Sequence, residues 1–197
     1  GMAIEAVPHV LPGFVFPMEA IRAALLRKPR MLMLCNPNNP TGTRLPAAQV
    51  LELAAAAPET IVVVDELYEA FTGDSVLPLI DFRAVPNLLV LRSLAKTAGL
   101  AGLRIGFALG HPDVVDRVGR VTGPYDVNSL AVTAAMAALK DQSYTDAYVA
   151  EVLRARNWIV TQLTRQRAIH HAAGGNYLLL WPRRSSATVE AELRAAG

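Results

Sequence analysis

Cysteine is almost absent from this chain: Cys35 stands alone among 197 residues. Neither a disulfide framework nor a CxxC metal pair can be drawn from one thiol, and a reducing compartment is the natural setting. Charge is sparse too. Only 18 % of residues are charged and the net charge is +2, with Lys and Arg scattered among Asp and Glu. A nucleic-acid or membrane-surface footprint needs clustered positive charge, which this sequence does not have. No apolar run approaches the ~18 residues that span a bilayer, and no charged-then-apolar signal segment opens the chain. The expectation is a cytoplasmic protein without nucleic-acid or membrane partners. What the chain has in quantity is apolar side chains, 52 % of the total, enough to bury a core and to exclude disorder.

Those apolar residues are ordered in an alternation. Short β-branched or Leu-rich runs, at Met31 to Cys35, Thr60 to Val64, Asn87 to Leu91 and Arg104 to Leu109, each end in polar or Gly/Pro punctuation. Between and after them lie segments of helical period: Met18 to Leu26, Ala47 to Ala56, Pro112 to Arg120 and Ser129 to Leu139. This pattern is the signature of an α/β domain with a mostly parallel sheet flanked by helices. The run Ile61-Val62-Val63-Val64 reads as a strand buried on both faces. A long amphipathic stretch from Tyr144 to Gln166, a Gly174-Gly175 break, a strand at Asn176 to Trp181 and a helix at Ala187 to Ala196 follow. They predict a large domain over 1–145, and over 146–197 an interdomain helix with the beginning of a small α+β domain. At the start, Ala3 to Val7 reads as a strand with nothing before it to pair with.

In open α/β sheets ligands sit beyond the carboxyl ends of the strands, so the residues that follow each strand carry the search for chemistry. After the first come Asn36-Pro37-Asn38-Asn39-Pro40-Thr41-Gly42, a turn with amide donors at the sheet edge; by itself it could be only a tight loop. After the second comes Asp65-Glu66-Leu67-Tyr68. A carboxylate there is costly unless something pairs with it, and either a turn cap or a cationic heterocycle would do. After the third come Ser93-Leu94-Ala95-Lys96 and then Gly99 to Arg104. A lysine behind an apolar strand can be desolvated into a nucleophile, and an arginine fork with a serine hydroxyl suits a phosphate. Each residue alone reads as an ordinary loop residue; their co-occurrence is what argues for a site.

Asn39-Pro40-Thr41-Gly42, Asp65 with Tyr68, and the stretch from Ser93 through Lys96 to Arg104 resemble the three ordered signatures of fold-type I pyridoxal-phosphate enzymes, the class I and II aminotransferases. Gly99 to Gly106, the segment Pro124-Tyr125-Asp126-Val127-Asn128-Ser129-Leu130-Ala131 and the pair Asn176-Tyr177 are similar to the histidinol-phosphate aminotransferase group. The resemblance implies pyridoxal 5'-phosphate as cofactor and assigns roles. Lys96 would hold it as a Schiff base and later shuttle the substrate proton. Asp65 would pair with the pyridine nitrogen, and Asn39 and Tyr68 would hydrogen-bond the ring's phenolic oxygen. Ser93 and Arg104 would bind the phosphate. The implied reaction moves an amino group from an amino acid or amino alcohol phosphate to a 2-oxo acid, in a homodimer if the protein is full length. A decarboxylase of the same group and a non-catalytic module of the same fold are the alternatives.

The chain departs from the family pattern at Ala95, often a serine that also touches the phosphate, and at Asp126, usually Asn. Losing one charge-assisted phosphate hydrogen bond weakens retention by ~1.5 to 3 kcal/mol. Family members also carry a phosphate loop and a ring-stacking aromatic ahead of the region matching Gly1, and a carboxylate-gripping arginine beyond Gly197. These 197 residues by themselves are therefore expected to bind the cofactor weakly and to transaminate little.

Overall fold

The structure, a computed structural model, describes residues 3–123 and 125–197. Gly1, Met2 and Pro124, which opens the segment resembling the histidinol-phosphate group, lie outside the described residues.

Four strands form the main sheet in the order β1 (Met31–Cys35), β2 (Ile61–Asp65), β3 (Leu88–Ser93) and β4 (Gly106–Gly110). The β1–β2 and β2–β3 pairings are parallel, running from Met31↔Ile61 to Cys35↔Asp65 and from Val62↔Leu88 to Asp65↔Leu91. The β3–β4 pairing is antiparallel, from Leu89↔Gly110 to Ser93↔Gly106. The register sets Cys35, Asp65 and Leu91 in one row across the sheet, so the loops that leave β1, β2 and β3 emerge along one edge.

Side chains alternate across a strand, so Leu34, Val62, Val64, Leu88 and Val90 point to one face. There they bury against Ile21 and Leu25 of α1 (Met18–Leu25) and Val50 and Leu53 of α2 (Ala47–Ala56). Each such side chain contributes roughly 1.5 to 3 kcal/mol of transfer free energy, so this face is the core. Asn87 staples it from below: its buried Nδ2 lies 2.9, 3.0 and 2.9 Å from the carbonyls of Ala54, Ala57 and Thr60, tying the end of α2 to the start of β3. On the opposite face Val63 and Leu89 are buried, whereas Met31 and Met33 at the β1 edge are 48 % and 67 % exposed.

Beyond β4 run α3 (Pro112–Gly119), α4 (Ser129–Lys140), α5 (Gln142–Arg165), the antiparallel pair β5 (Ile169–His171) and β6 (Leu179–Trp181), and α6 (Ser186–Ala196). The helix starts have local causes. Pro112 sits in the first turn of α3, where its missing N–H costs nothing. Asn128 accepts the Ala131 amide at 2.8 Å to cap α4, and Asp141 accepts the Tyr144 amide at 3.1 Å to cap α5. No helix among the described residues is long and apolar enough to cross a membrane.

The structure corrects the sequence reading at three strands. Ala3 to Val7 is not a strand: among the described residues it pairs with no strand, and the only bridge near the chain start is Val10↔Val15. The fourth strand begins at Gly106 rather than Arg104, since Ala101–Leu103 close a 3-10 turn and Arg104 turns left-handed at φ 55°. The strand expected over Asn176 to Trp181 is Leu179–Trp181, and its partner β5 was not foreseen.

Candidate active site

The first strand-end loop is built around Asn36. Its buried side chain donates to Leu45 O at 2.9 Å and accepts the Leu45 amide at 2.8 Å, so this asparagine closes the loop and is spent on doing so. Asn38 also faces inward, its Nδ2 donating to Thr41 Oγ1 at 2.8 Å. Asn39 is left to point out of the turn, and its Nδ2 donates to the Tyr68 hydroxyl at 3.0 Å.

Tyr68 arrives from the loop after β2, where Asp65 shapes the turn by accepting the Leu67 amide on Oδ1 at 3.0 Å. The hydrogen bond of the Asp65 carboxylate among the described residues falls on Oδ1 and leaves Oδ2 free. The buried Tyr68 ring takes Lys96 on one face, with Nζ 5.7 Å from the ring centroid, and the edge of Tyr177 at 5.0 Å. Three residues from three separate loops, Asn39, Tyr68 and Lys96, thus gather at the carboxyl edge of the sheet, with Asp65 at the end of the neighbouring strand. Beside Asp65 in the ladder stands Cys35, whose thiol is pushed up by burial and further by the Asp65 charge, against a lowering contact from the Asn39 backbone.

Lys96 is carried by the loop between β3 and β4. Ser93 begins that loop: its hydroxyl donates to Ile105 O at 3.2 Å and accepts the Ala95 amide at 3.1 Å, folding the chain back so that Lys96 returns over Tyr68. Arg104 is exposed, and its Nη1 donates to Ala101 O at 3.1 Å. Ser93 and Arg104 therefore lie at the two ends of one loop, each engaged with backbone.

On the other side of the same strand ends lies a second cluster that sequence reasoning missed. The fully buried Glu66 accepts the Val76 amide and the Ser75 hydroxyl, both at 2.8 Å. Arg92 Nε lies 3.0 Å from Glu66 Oε2 with its N–H directed off the oxygen, so that contact is ionic, and the Arg92 fork also engages Glu69 and Ser75. Burial pushes the Glu66 carboxyl up, while the amide, the hydroxyl and Arg92 pull it back in part. The signal was present in the sequence: a charged residue placed at an inward position of an otherwise apolar strand pair. This cluster borders a groove of about 880 Å³ lined by Phe107 and Leu109 of β4, Leu139 of α4 and Leu153 of α5. Ser93 lines it, but Lys96, Asp65, Tyr68 and Asn39 do not, so the candidate chemistry lies at the strand-end cluster rather than in this groove. No group of metal-ligating side chains occurs among the described residues.

The arrangement offers a primary amine over the Tyr68 ring, a carboxylate with one oxygen left free and an amide hydrogen-bonded to the Tyr68 hydroxyl, which suits a planar, electron-poor ring carrying an aldehyde. Comparison with known proteins agrees with this chemistry. A family model described as aminotransferase class I and II matches residues 4–195. The histidinol-phosphate aminotransferase 2 of Nitrosospira multiformis is 39 % identical over 167 residues, which cover 82 % of this chain and 42 % of that protein. The aromatic amino acid aminotransferase of Cutibacterium acnes is 40 % identical over 154 residues, 76 % of this chain and 43 % of that protein. Among solved structures, histidinol-phosphate aminotransferase from Sinorhizobium meliloti in complex with pyridoxal-5'-phosphate matches with a TM-score of 0.77 and 27 % identity, over 88 % of this chain and 48 % of that one. The chain thus spans less than half the length of each of these three relatives.

Proposed function

The chain belongs to the class I and II aminotransferase family, and from that premise we propose that it carries the cofactor-binding centre of a pyridoxal-phosphate aminotransferase acting on an amino acid or a histidinol phosphate-like amino alcohol phosphate. The observation that carries the proposal is the meeting of Asn39, Tyr68 and Lys96 beside Asp65 at the sheet edge. The residues fit the cofactor: Asp65 keeps one oxygen free for a protonated ring nitrogen, and the Asn39–Tyr68 pair presents polar hydrogens at one point. Pyridoxal phosphate, when bound, supplies an electron sink for the charge left at the substrate Cα once its proton is removed.

Lys96 Nζ would be the amine that holds the cofactor at its aldehyde, and the same nitrogen would be the group placed to take and give back the substrate Cα proton as general base and general acid. Asp65 would oppose the charge of the protonated ring nitrogen. Asn39 Nδ2 and the Tyr68 hydroxyl would hold the phenolic oxygen in its anionic form. Ser93 and Arg104 would hold the phosphate, the guanidinium through charge-assisted hydrogen bonds. Residues 1–145 are the large domain, and 146–197 the interdomain helix with the start of the small domain. The protein works in the cytoplasm as a homodimer, with a 2-oxo acid as amino acceptor.

The test is the absorbance of the protein with added pyridoxal phosphate before and after borohydride reduction, beside Lys96→Ala. The expected outcome is a reduced covalent adduct mapped to Lys96 and none in the variant. No adduct on the intact protein that carries this chain refutes the cofactor assignment, and carbon dioxide release without keto-acid formation from candidate substrates replaces the transferase by a decarboxylase.

A further inference from the structure

Three carbonyls of the turn that holds Asn39 are taken by one distant segment. Tyr177 OH donates to Asn38 O at 2.7 Å, His171 Nε2 donates to Thr41 O at 2.8 Å, and Gly174 N donates to Gly42 O at 2.9 Å. All three contacts join residues at least 130 positions apart, and all three end on backbone. The approach is as close as a chain permits: a Cβ on Gly42 would lie 2.4 Å from Gly174 N, and a Cβ on Gly174 would lie 2.8 Å from Gly42 O. The segment is braced from behind by Arg156 of α5, whose Nη1 donates to Gly175 O at 2.6 Å.

Tyr177 reaches both donors at once. Its hydroxyl fixes the carbonyl next to Asn39, and its ring stands edge-on against Tyr68, with planes 88° apart, on the ring that also faces Lys96. Burial pushes the Tyr177 hydroxyl far up, so it stays a donor throughout the working range of pH.

We infer that Tyr177 is a positioning residue that holds Asn39 and Tyr68 in register with each other and thereby sets the basicity of the cofactor bound at Lys96. The inference rests on the cofactor reading above. Its physical content is a chain of two contacts. The pair Asn39 and Tyr68 can stabilise a phenolate only while both point at it, and the Tyr177 side chain touches both the backbone beside the first and the ring of the second. Stabilising the phenolate favours the unprotonated form of the imine that shares its charge. Loosening the two donors therefore raises the pH at which the bound cofactor loses its proton.

The experiment is a pH titration of the bound cofactor's absorption in the intact protein that carries this chain, comparing the parent with Tyr177→Phe. This variant keeps the ring against Tyr68 and removes only the hydroxyl. The expected shift is upward by ~0.5 unit, a fraction of what one hydrogen bond to a charged group is worth. The cofactor-free protein supplies a second readout, hydrogen exchange at the Asn38 and Gly42 amides, which close the turn through Thr43 O and Asn38 O. Exchange there is expected to quicken several-fold in the variant. An unmoved titration in a variant that binds the cofactor overturns the inference and leaves the site reading standing. A parent that forms no adduct at Lys96 overturns both. Faster exchange with an unmoved titration assigns Tyr177 to stability alone, which also refutes the positioning role.

Discussion

Gly42 and Gly73 form a matched pair of probes for the contact between the Asn38–Gly42 turn and the 171–177 segment. Both have left-handed backbones, at φ 69° and 74°. An alanine at either therefore carries the same backbone penalty, ~1 to 2 kcal/mol for an L-residue in this region. They differ in what a methyl would meet. At Gly73 nothing lies within 4 Å, whereas at Gly42 the methyl would sit 2.4 Å from Gly174 N and 2.6 Å from Gly174 O, both backbone atoms that no rotamer change can move. Overpacking of this kind adds ~1 to 3 kcal/mol, so Gly42→Ala is expected to cost about 3 kcal/mol and Gly73→Ala about 1 kcal/mol. Urea denaturation of the intact protein measures both on one scale, with the midpoint reporting stability and the slope reporting whether the two-state assumption holds. Gly42→Ala should also break the Gly174 N to Gly42 O bond and expose the segment around residue 174 to proteolysis, which Gly73→Ala should not. Equal costs for the two variants would mean that the turn and the distant segment are not in contact in solution, and the close approach would be refuted.

Cys35 serves as a reporter of its neighbour. With its thiol raised by burial and by the Asp65 charge, alkylation at neutral pH is expected to run well below the rate of a free thiol and to quicken only as the pH climbs past the ordinary thiol range. Asp65→Asn removes the smaller of the two raising causes, so the labelling rate at fixed pH should rise modestly; a fall would refute the placement of the two side by side. Glu66 makes a pH prediction of a definite sign. Burial raises its folded value above that of the unfolded chain, so its favourable contribution is complete below the ordinary carboxylate value and is lost as pH rises through the raised folded value. The stability of the parent relative to Glu66→Gln should accordingly decline across that window in a series of denaturation curves. An advantage that grows with pH would show that the Arg92 ion pair outweighs desolvation.

Much of this fold was legible because its signals are local. The apolar runs at 31–35 and 61–64 read as strands on their own composition, and Pro46 marked the start of the helix between them. The strands misjudged were those whose existence depends on a partner. Residues 3–7 have the composition of a strand but pair with none among the described residues, and Ile169–His171 has two histidines in three residues and becomes a strand only because Leu179–Trp181 pairs with it. Arg104 shows the same limit on a smaller scale, since its place in the run before Gly106 suggested strand and the 3-10 turn before it gave a left-handed corner.

The site divides along the same line. The segments that carry Asn39, Asp65, Tyr68, Ser93 and Lys96 could be picked out because a parallel sheet delivers whatever follows its strands to one edge, and the family resemblance then singled out those residues within them. Topology of that kind says nothing about what presses on the loops from outside the sheet. The segment from His171 to Tyr177 reaches the Asn38–Gly42 turn through backbone carbonyls. A contact with a carbonyl constrains only one of its two residues, so the turn's own side chains carry no trace of it. The trace lies instead in two places that look unrelated in sequence: a glycine at 42 that a φ of 69° alone would not make obligatory, and a glycine pair at 174 and 175 that reads as a simple break. Each is explained by the other. Small residues at two remote points, both next to residues of chemical interest, are therefore the sequence mark of a backbone-to-backbone latch, and here that latch ends on the two donors proposed to set the cofactor's charge.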